Sequence, residues 1–581
     1  MLPARTRRLT LSHNFLIVVS LLLMTVCPVM AQQRTRDSGQ SVSADNGMVV
    51  SASGHASRIG RDVLERGGTA VDAAVATAFA LAVVWPEAGN IGGGGFMIIH
   101  PGDGRPPVCV DYRETAPLAA TPTMFQDDDR RHTCKMVGVP GTVRGLAIAH
   151  QEYGKLPWQD LVLPAVGLAE EGFEVDVELA SSVNRVLESL PQPPEPNFAE
   201  LRRVYEKSDG TPWKSGDRMI LRDLADTLRT IAMEGPDTFY SGEIADQIVA
   251  EMKHSDGIIT LADLNRYGAK VRAPIHGVYR GYDVFGPPPP SSGGICLIQM
   301  LNILENFELR NFEPYSARNM HVMAETMRRV FRDRAEYLGD ADFVDIPSHL
   351  VDKVYARRLA GEIDLHTATP SESLAGNIDL APESTDTTHF SVIDSNGMAV
   401  SNTYTLEASW GSRIVVRSAG FLLNNEMGDF NKNPGHTDRS GANGTEPNLI
   451  APGKRMLSSM TPVIVAHEGR VLLVTGSPGG RTIINTVLNV VLDVVEYEMD
   501  LPDSVASPRL HHQWFPDQLQ FEGLNEDCYS TAVNQLRAMG HSLKRPSGGQ
   551  QGSAHSILVD LEMGTFHGAV DRRRGGEASG Y

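Results

Sequence analysis

Cysteine is scarce, with five in 581 residues. That excludes a small fold stapled by disulfides, and no Cys/His spacing matches a structural zinc site. Positive charge is also in deficit: 52 Lys and Arg face 71 Asp and Glu, for a formal net charge of −19. A chain without a basic footprint is poorly suited to a phosphate backbone, so nucleic acid is excluded as a partner. Past the N-terminal thirty residues no apolar run is long enough to span a membrane, and no internal repeat is visible. The Gly/Ser run at 291–294 follows Pro287–Pro290 but lacks the Lys and the spacing of a phosphate loop. Neither a cofactor nor a metal is expected.

What is present points first to export. Arg5, Arg7 and Arg8 precede an apolar Phe15–Val26 stretch, and Val29-Met30-Ala31 offers a cleavage site. Residues 1–31 therefore read as a signal peptide, which implies an exported protein, periplasmic or extracellular, with no membrane span once the signal is removed. Cys109 and Cys134 could pair in an oxidising compartment, although buried free thiols is the preferred reading of the four cysteines left after cleavage. A hydrophobic fraction of 41% over this length supplies a large core, either as two or three domains or as one α/β body.

Local signals place the elements. Thr69-Ala-Val-Asp72 reads as a capping box opening an Ala/Val-rich helix to about Val84, stopped by Pro86. Gly92–Gly95 follows, where backbone can approach backbone. The region from about 140 to 380 reads as mostly helical, with helices expected over 179–190 and 317–337. The last third changes to strands: 388–394 and 398–405 around a Ser-Asn-Gly turn, 463–466 and 471–475 around Glu468-Gly469, and a third pair within 556–570. A helix is expected over Thr482–Val495. Strand pairs with helices on their faces indicate a layered α/β protein.

The residues able to carry chemistry are weak signals one at a time. Thr387-Thr388-His389 opens a strand, and Thr is a poor nucleophile unless the chain is cut before it, when the new α-amine can serve as base for its own Oγ. Gly479-Gly480 lies at a strand-to-helix turn, where free N–H groups can face developing negative charge. Ser458 and Ser459 offer paired hydroxyls, and Arg113 a planar fork for a carboxylate or else a surface ion pair. Glu426 and Asp429 could receive an ammonium group or form a solvated acidic loop.

Taken together these residues resemble one family. Leu64-Glu-Arg-Gly-Gly-Thr-Ala-Val-Asp-Ala-Ala74, Gly89-Asn-Ile-Gly-Gly-Gly-Gly-Phe96, Pro288-Pro-Pro-Ser-Ser-Gly-Gly294 and Glu336-Tyr-Leu-Gly-Asp340 look like the large subunit of γ-glutamyltranspeptidases. Thr387-Thr-His389, Leu422-Leu-Asn-Asn425, Leu457-Ser-Ser-Met460, Thr475-Gly-Ser-Pro-Gly-Gly480 and Pro508-Arg-Leu-His-His-Gln-Trp514 look like the small one. The match runs in order over roughly 45–581.

The resemblance implies a four-layer αββα N-terminal-nucleophile hydrolase sandwich. It implies a precursor that cuts itself between Asp386 and Thr387 into a large subunit, 32–386, and a small catalytic subunit, 387–581, which stay together as a heterodimer. It implies γ-glutamyl transfer from glutathione or related compounds to water or to amino acid or dipeptide acceptors. Thr387 would be the nucleophile with Thr405 hydrogen-bonded nearby, and Gly479 and Gly480 would hold the oxyanion. Arg113, Ser458 and Ser459 would bind the donor's α-carboxylate, Glu426 and Asp429 its α-ammonium. Glu407 departs from the Asn usual in the family and is expected to join the ammonium set; of three carboxylates round one ammonium, either one takes up a proton or a nearby cation, with Arg113 the candidate, compensates. The segment 434–447 corresponds to a lid in some members but lacks Tyr here. A glutaryl-type (cephalosporin) acylase of the same family and an inactive homologue acting as a binding protein are the competing readings.

Overall fold

A computed structural model describes residues 41–126, 130–191, 195–375, 387–440 and 444–581. The signal-peptide reading of 1–31, the Asp386 side of the expected cut, and 441–443 of the lid-like segment lie outside the described residues.

Two seven-stranded sheets form the centre. The first runs Glu577–Gly580, Gly47–Ser51, Thr388–Asp394, Ala399–Thr405, Gly94–His100, Val108–Asp111, Lys270–Arg272. The second runs Ser41–Ala44, Phe566–Ala569, Ser556–Val559, Arg470–Thr475, Val463–His467, Tyr282–Gly286, Ile275–Tyr279. Every pairing in both is antiparallel. Each sheet contains strands from before and from after residue 387, so neither half of the chain owns a complete one.

The central strands of the first sheet divide their side chains between two cores, as the period of two requires. Val49, Met97, Ile99 and Val392 pack with the helix Ala70–Val84. Val50, Ile98 and Ile393 pack towards Val463, Ile464 and Val474 of the second sheet, in a core that also holds the helices Gly293–Leu304 and Thr482–Val495. With both faces buried, strands such as Gly94–His100 carry no polar alternation, which hides them in the sequence.

The capping box forms: Asp72 N donates to Thr69 Oγ1 at 3.1 Å and Thr69 N to the Asp72 carboxylate at 2.9 Å. The helices Thr482–Val495 and Ala317–Tyr337 have the expected bounds, and the 179–190 helix begins slightly earlier, at Val177–Glu188. Glu468 and Gly469, at φ of 50° and 77°, make the left-handed turn that their hairpin needs. The region 140–375 is mostly helical, as expected, and 270–286 adds three strands to it, one to the first sheet and two to the second. The free-thiol reading of the cysteines holds, and the alternative Cys109–Cys134 pair does not form. All four described thiols are free, and Cys109 and Cys134 belong to different cores on opposite faces of the first sheet.

Candidate active site

Thr387 stands just before the strand Thr388–Asp394, whose first residue pairs with Tyr404. Continuing that register sets Thr387 opposite Thr405 at the end of the neighbouring strand. Both line a cavity of about 300 Å³, together with Arg113, Glu407, Glu426, Asp429, Ser458, Ser459 and Gly480. Nine of the ten residues singled out from the sequence thus converge on one space. The tenth, Gly479, lines an adjoining groove.

Glycine makes the convergence possible at Gly93, where a Cβ would fall 2.0 Å from the Thr405 carbonyl. Asn90 stitches the same place, donating to the Thr405 carbonyl at 2.9 Å and accepting from Gly93 N at 2.9 Å. Gly479 and Gly480 have φ of 129° and 58° between the strand Arg470–Thr475 and the helix Thr482–Val495. Their carbonyls accept from Thr482 N and Ile483 N at 3.2 and 3.1 Å, tying the turn to the helix start.

The acidic turn Glu426–Asp429 is positioned by the two asparagines before it. Asn424 Oδ1 accepts from Glu426 N at 3.0 Å and from Gly138 N at 2.8 Å, while its Nδ2 donates to the Gly92 carbonyl at 2.8 Å. Asn425 Oδ1 accepts from Ala408 N at 3.1 Å, and its Nδ2 donates to the Glu407 carboxylate. The 405–408 segment and the acidic turn are therefore one hydrogen-bonded unit.

Arg113 is buried, not a surface residue, and neither is the Glu426 turn a solvated loop. The Arg113 guanidinium donates to both Glu426 and Asp429, with Glu114 at 3.8 Å. Burial opposes the charge of Arg113, but Glu426, Asp429 and Glu114 outweigh it and raise its pKa. Burial drives Glu114 up to about 7 against the pull of Arg113, and it drives Glu426 well above the usual carboxylate range. Three carboxylates, Glu407, Glu426 and Asp429, line the cavity beside the Arg113 guanidinium, and burial together with their mutual repulsion favours the protonated form of Glu426. Arg113 spans Glu426 and Asp429, while Arg131 lies 3.9 Å from Glu407.

Sequence reasoning missed Arg334, on the helix Ala317–Tyr337. Its Nη2 donates to Ser459 Oγ and its Nε to Ser292 Oγ, each at 2.9 Å. Since guanidinium only donates, the Ser459 hydroxyl accepts there and keeps its own proton for another acceptor. Ser292, dismissed with its phosphate-loop-like run, donates to the Ser458 carbonyl at 2.7 Å and holds the serine pair in place. The long polar face of that helix was the available signal. His389 is no base for Thr387: it is buried, its pKa is far below the ordinary value through desolvation, and it bonds to Thr403 Oγ1 at 2.9 Å and Ser391 Oγ at 3.1 Å. Away from the cavity, His321, Glu325 and His541 are grouped like metal ligands. The two imidazoles already bond directly at 2.8 Å and Glu325 is held by Arg328 and Arg329, so we assign no ion there.

This assembly, a strand-leading threonine opposite a glycine turn with an Arg–carboxylate cluster in one buried cavity, has the form of an acyl-transfer site. The chain belongs to the gamma-glutamyltranspeptidase family, whose sequence profile matches residues 56–581. It is 44% identical to the "Glutathione hydrolase proenzyme" of Escherichia coli strain K12, over 92% of this chain and 91% of that one. Among solved structures it is similar to a cephalosporin acylase from Bacillus halodurans, with a TM-score of 0.81, 26% identity, and coverage of 93% of this chain and 97% of that one. It is also similar to the Helicobacter pylori gamma-glutamyltranspeptidase, with a TM-score of 0.53, 41% identity, and coverage of 55% of this chain and 92% of that one.

Proposed function

We propose that this protein is a glutathione hydrolase and γ-glutamyltransferase that activates itself by cutting between Asp386 and Thr387. The observation that carries the reading is the Arg113–Glu426–Asp429 cluster in the same cavity as Thr387. A γ-glutamyl head is a zwitterion on a short stem. Its α-carboxylate fits Arg113 and the Ser458 and Ser459 hydroxyls, and its α-ammonium fits Glu407, Glu426 and Asp429. Opposite charges gripping that head leave the γ-carbonyl to Thr387. We read the two sheets and their flanking helices as the four-layer αββα arrangement of N-terminal-nucleophile hydrolases, with 32–386 and 387–581 as the two subunits. The residue pattern alone supports removal of 1–31 and an exported, periplasmic or extracellular, location. Among the described residues no helix is long and apolar enough to cross a membrane.

In processing, Thr387 Oγ attacks the Asp386 carbonyl carbon. The C–N bond breaks, which frees the Thr387 α-amine and leaves the chain held as an ester to Oγ, and water then hydrolyses that ester to the Asp386 carboxylate and the Thr387 hydroxyl. In turnover that amine takes the Oγ proton as Oγ attacks the γ-carbonyl. The backbone N–H groups of Gly479 and Gly480 face the oxyanion. The proton passes to the leaving amine, and water or an acceptor amine then releases the γ-glutamyl group from Thr387.

The resemblance to a cephalosporin acylase keeps a second substrate class in view. A glutaryl side chain has no amine, however, and would leave the cavity's Glu407, Glu426 and Asp429 without the ammonium they suit. Incubation with glutathione, with and without glycylglycine, tests the proposal: glutamate, cysteinylglycine and a new γ-glutamyl peptide are expected. Thr387→Ala should remain one chain on a denaturing gel, while the wild type yields a fragment beginning Thr-Thr-His-Phe. An active uncut chain, or a different fragment start, would sink the mechanism.

A further inference from the structure

Three bulky residues stand in the left-handed region within one short segment: Glu407, Trp410 and Arg413, at φ of 80°, 65° and 63°. That region favours glycine, so each of them strains the backbone. Such strain persists only where the surroundings over-determine the conformation. The first of the three lines the Thr387 cavity. Whatever holds the segment therefore decides where the Glu407 carboxylate points.

The holding groups come from before residue 387. Glu87 follows the helix Ala70–Val84 and is buried. Its carbonyl accepts from Trp410 N at 2.9 Å. One carboxylate oxygen accepts from Ser409 Oγ at 2.8 Å, the other from Ser182 Oγ at 2.5 Å. Ser182, on the helix Val177–Glu188, accepts in turn from the Trp410 indole Nε1 at 3.0 Å. The indole is 1% exposed and meets Tyr205 edge to face, with ring centroids 4.9 Å apart. A buried carboxylate is costly unless its oxygens are bonded, and here both serve residues 409 and 410, one directly and one through Ser182. Ser182 has one hydroxyl proton. It goes to Glu87, which leaves the oxygen to accept the indole N–H. The chain Trp410–Ser182–Glu87–Ser409 is complete only while both oxygens of residue 87 accept.

We propose that Glu87 is a positioning residue for γ-glutamyl donors: through Ser182, Ser409 and Trp410 it holds the 407–410 turn so that the Glu407 carboxylate meets the donor's α-ammonium. The inference rests on the γ-glutamyl-transfer reading above. Glu87 lines the adjoining groove and not the Thr387 cavity, so it reaches the ammonium through the turn and not by contact. The piece before the expected cut thus sets the amine preference of a pocket whose Thr387 and Glu407 lie after it.

The test is a double-mutant cycle on the two-chain protein, with γ-glutamyl-p-nitroanilide as donor. Glu87→Gln keeps the size but places an amide N–H₂ where one oxygen accepted, so one link opens. It should raise KM by about fivefold or more, with kcat within about twofold of wild type. In a Glu407→Gln background the same substitution should change KM by less than about twofold, because the charge that it positions is already gone. Trp410→Phe keeps a ring against Tyr205 and removes the indole N–H. It should raise KM in the wild-type background and not in the Glu407→Gln background, and it decides the matter if Glu87→Gln fails to fold. An equal rise in both backgrounds would show that Glu87 acts by another route and overturn the proposal. Unchanged KM in the single variants, or a loss confined to kcat, would overturn it too. A wild type that releases no p-nitroaniline overturns the γ-glutamyl function itself, a distinct result from active protein with additive losses.

Discussion

At the scale of single residues, the cavity is governed by how few cations serve how many acids. Arg113 holds Glu426 and Asp429 through two arms of one planar group, a geometry that an ammonium cannot copy. A hydrogen bond to a charged group contributes about 1.5–3 kcal/mol, so Arg113→Lys should lower kcat/KM on γ-glutamyl donors by about tenfold to a hundredfold. Self-cleavage, which uses Thr387 and its own backbone, should persist in the same variant. Kinetics identical to wild type would mean that the fork binds no substrate. Glu407 lines the cavity and accepts from the Asn425 amide, with Arg131 at 3.9 Å. Glu407→Gln keeps the acceptor for Asn425 and removes the charge. It should cost about tenfold in kcat/KM for donors with an α-amine, and nothing for analogues that lack it. An equal loss on both kinds of donor would show that Glu407 shapes the turn and does not touch the amine.

At the scale of elements, the site hangs on the ends of regular structure. Thr387 leads one strand, Thr405 ends its partner, and Gly479-Gly480 precedes the helix Thr482–Val495. That helix is apolar along its length except where Asn485, Asn489 and Asp493 are buried. Desolvation drives Asp493 up to about 8, with Ser504 Oγ donating at 3.4 Å and Arg509 nearby. The folded protein thus keeps a proton that the unfolded chain has released above about pH 4. That contribution to stability is fully present below the unfolded pKa and is lost as the pH rises through the folded one. Asp493→Asn cannot ionise, so its stability should gain on the wild type by about 1 kcal/mol or more between pH 5 and 7.5, at about 1.4 kcal/mol per pKa unit. Thermal midpoints at the two pH values measure this. A difference independent of pH would place the Asp493 proton elsewhere.

At the scale of the whole molecule, the expected cut at 386 does not divide two domains. Thr388–Asp394 is paired between Gly47–Ser51 and Ala399–Thr405, and Val463–His467 between Tyr282–Gly286 and Arg470–Thr475. Ion pairs cross the same boundary, such as half-buried Arg280 with buried Glu496 at 3.0 Å. A cut chain of this kind should behave as one particle. The two pieces should co-elute in molar salt, since apolar burial is not screened as surface charge is. They should separate only where denaturant unfolds both. Residues 387–581 produced alone should be insoluble or unfolded, because unpaired strand edges and half of two cores would face water. A soluble, folded small piece would contradict the interleaved core.

Much of the local structure was legible because its causes lie a few residues apart. Thr69 and Asp72 cap one helix by their spacing, Glu468-Gly469 turns one hairpin, and the apolar period across 482–495 marks a helix whatever surrounds it. The convergence of Thr387, Gly480 and Ser459 was reachable only through family resemblance, since nothing local ties residue 113 to residue 426. What the tertiary structure decided is where each side chain faces and which charge answers it. The strands at 47–51, 94–100 and 270–286 escaped notice because burial on both faces, or brevity, erases alternation. Cys109 and Cys134 stand close in sequence yet lie on opposite faces of a sheet. Arg131 approaches Glu407, Arg334 stands behind Ser459, and Arg413 has no ion pair among the described residues. Backbone propensity and turn chemistry act between neighbours and so are written along the chain. Burial, pairing and the pKa shifts that follow depend on residues hundreds of positions apart being packed together, and only the fold brings them there.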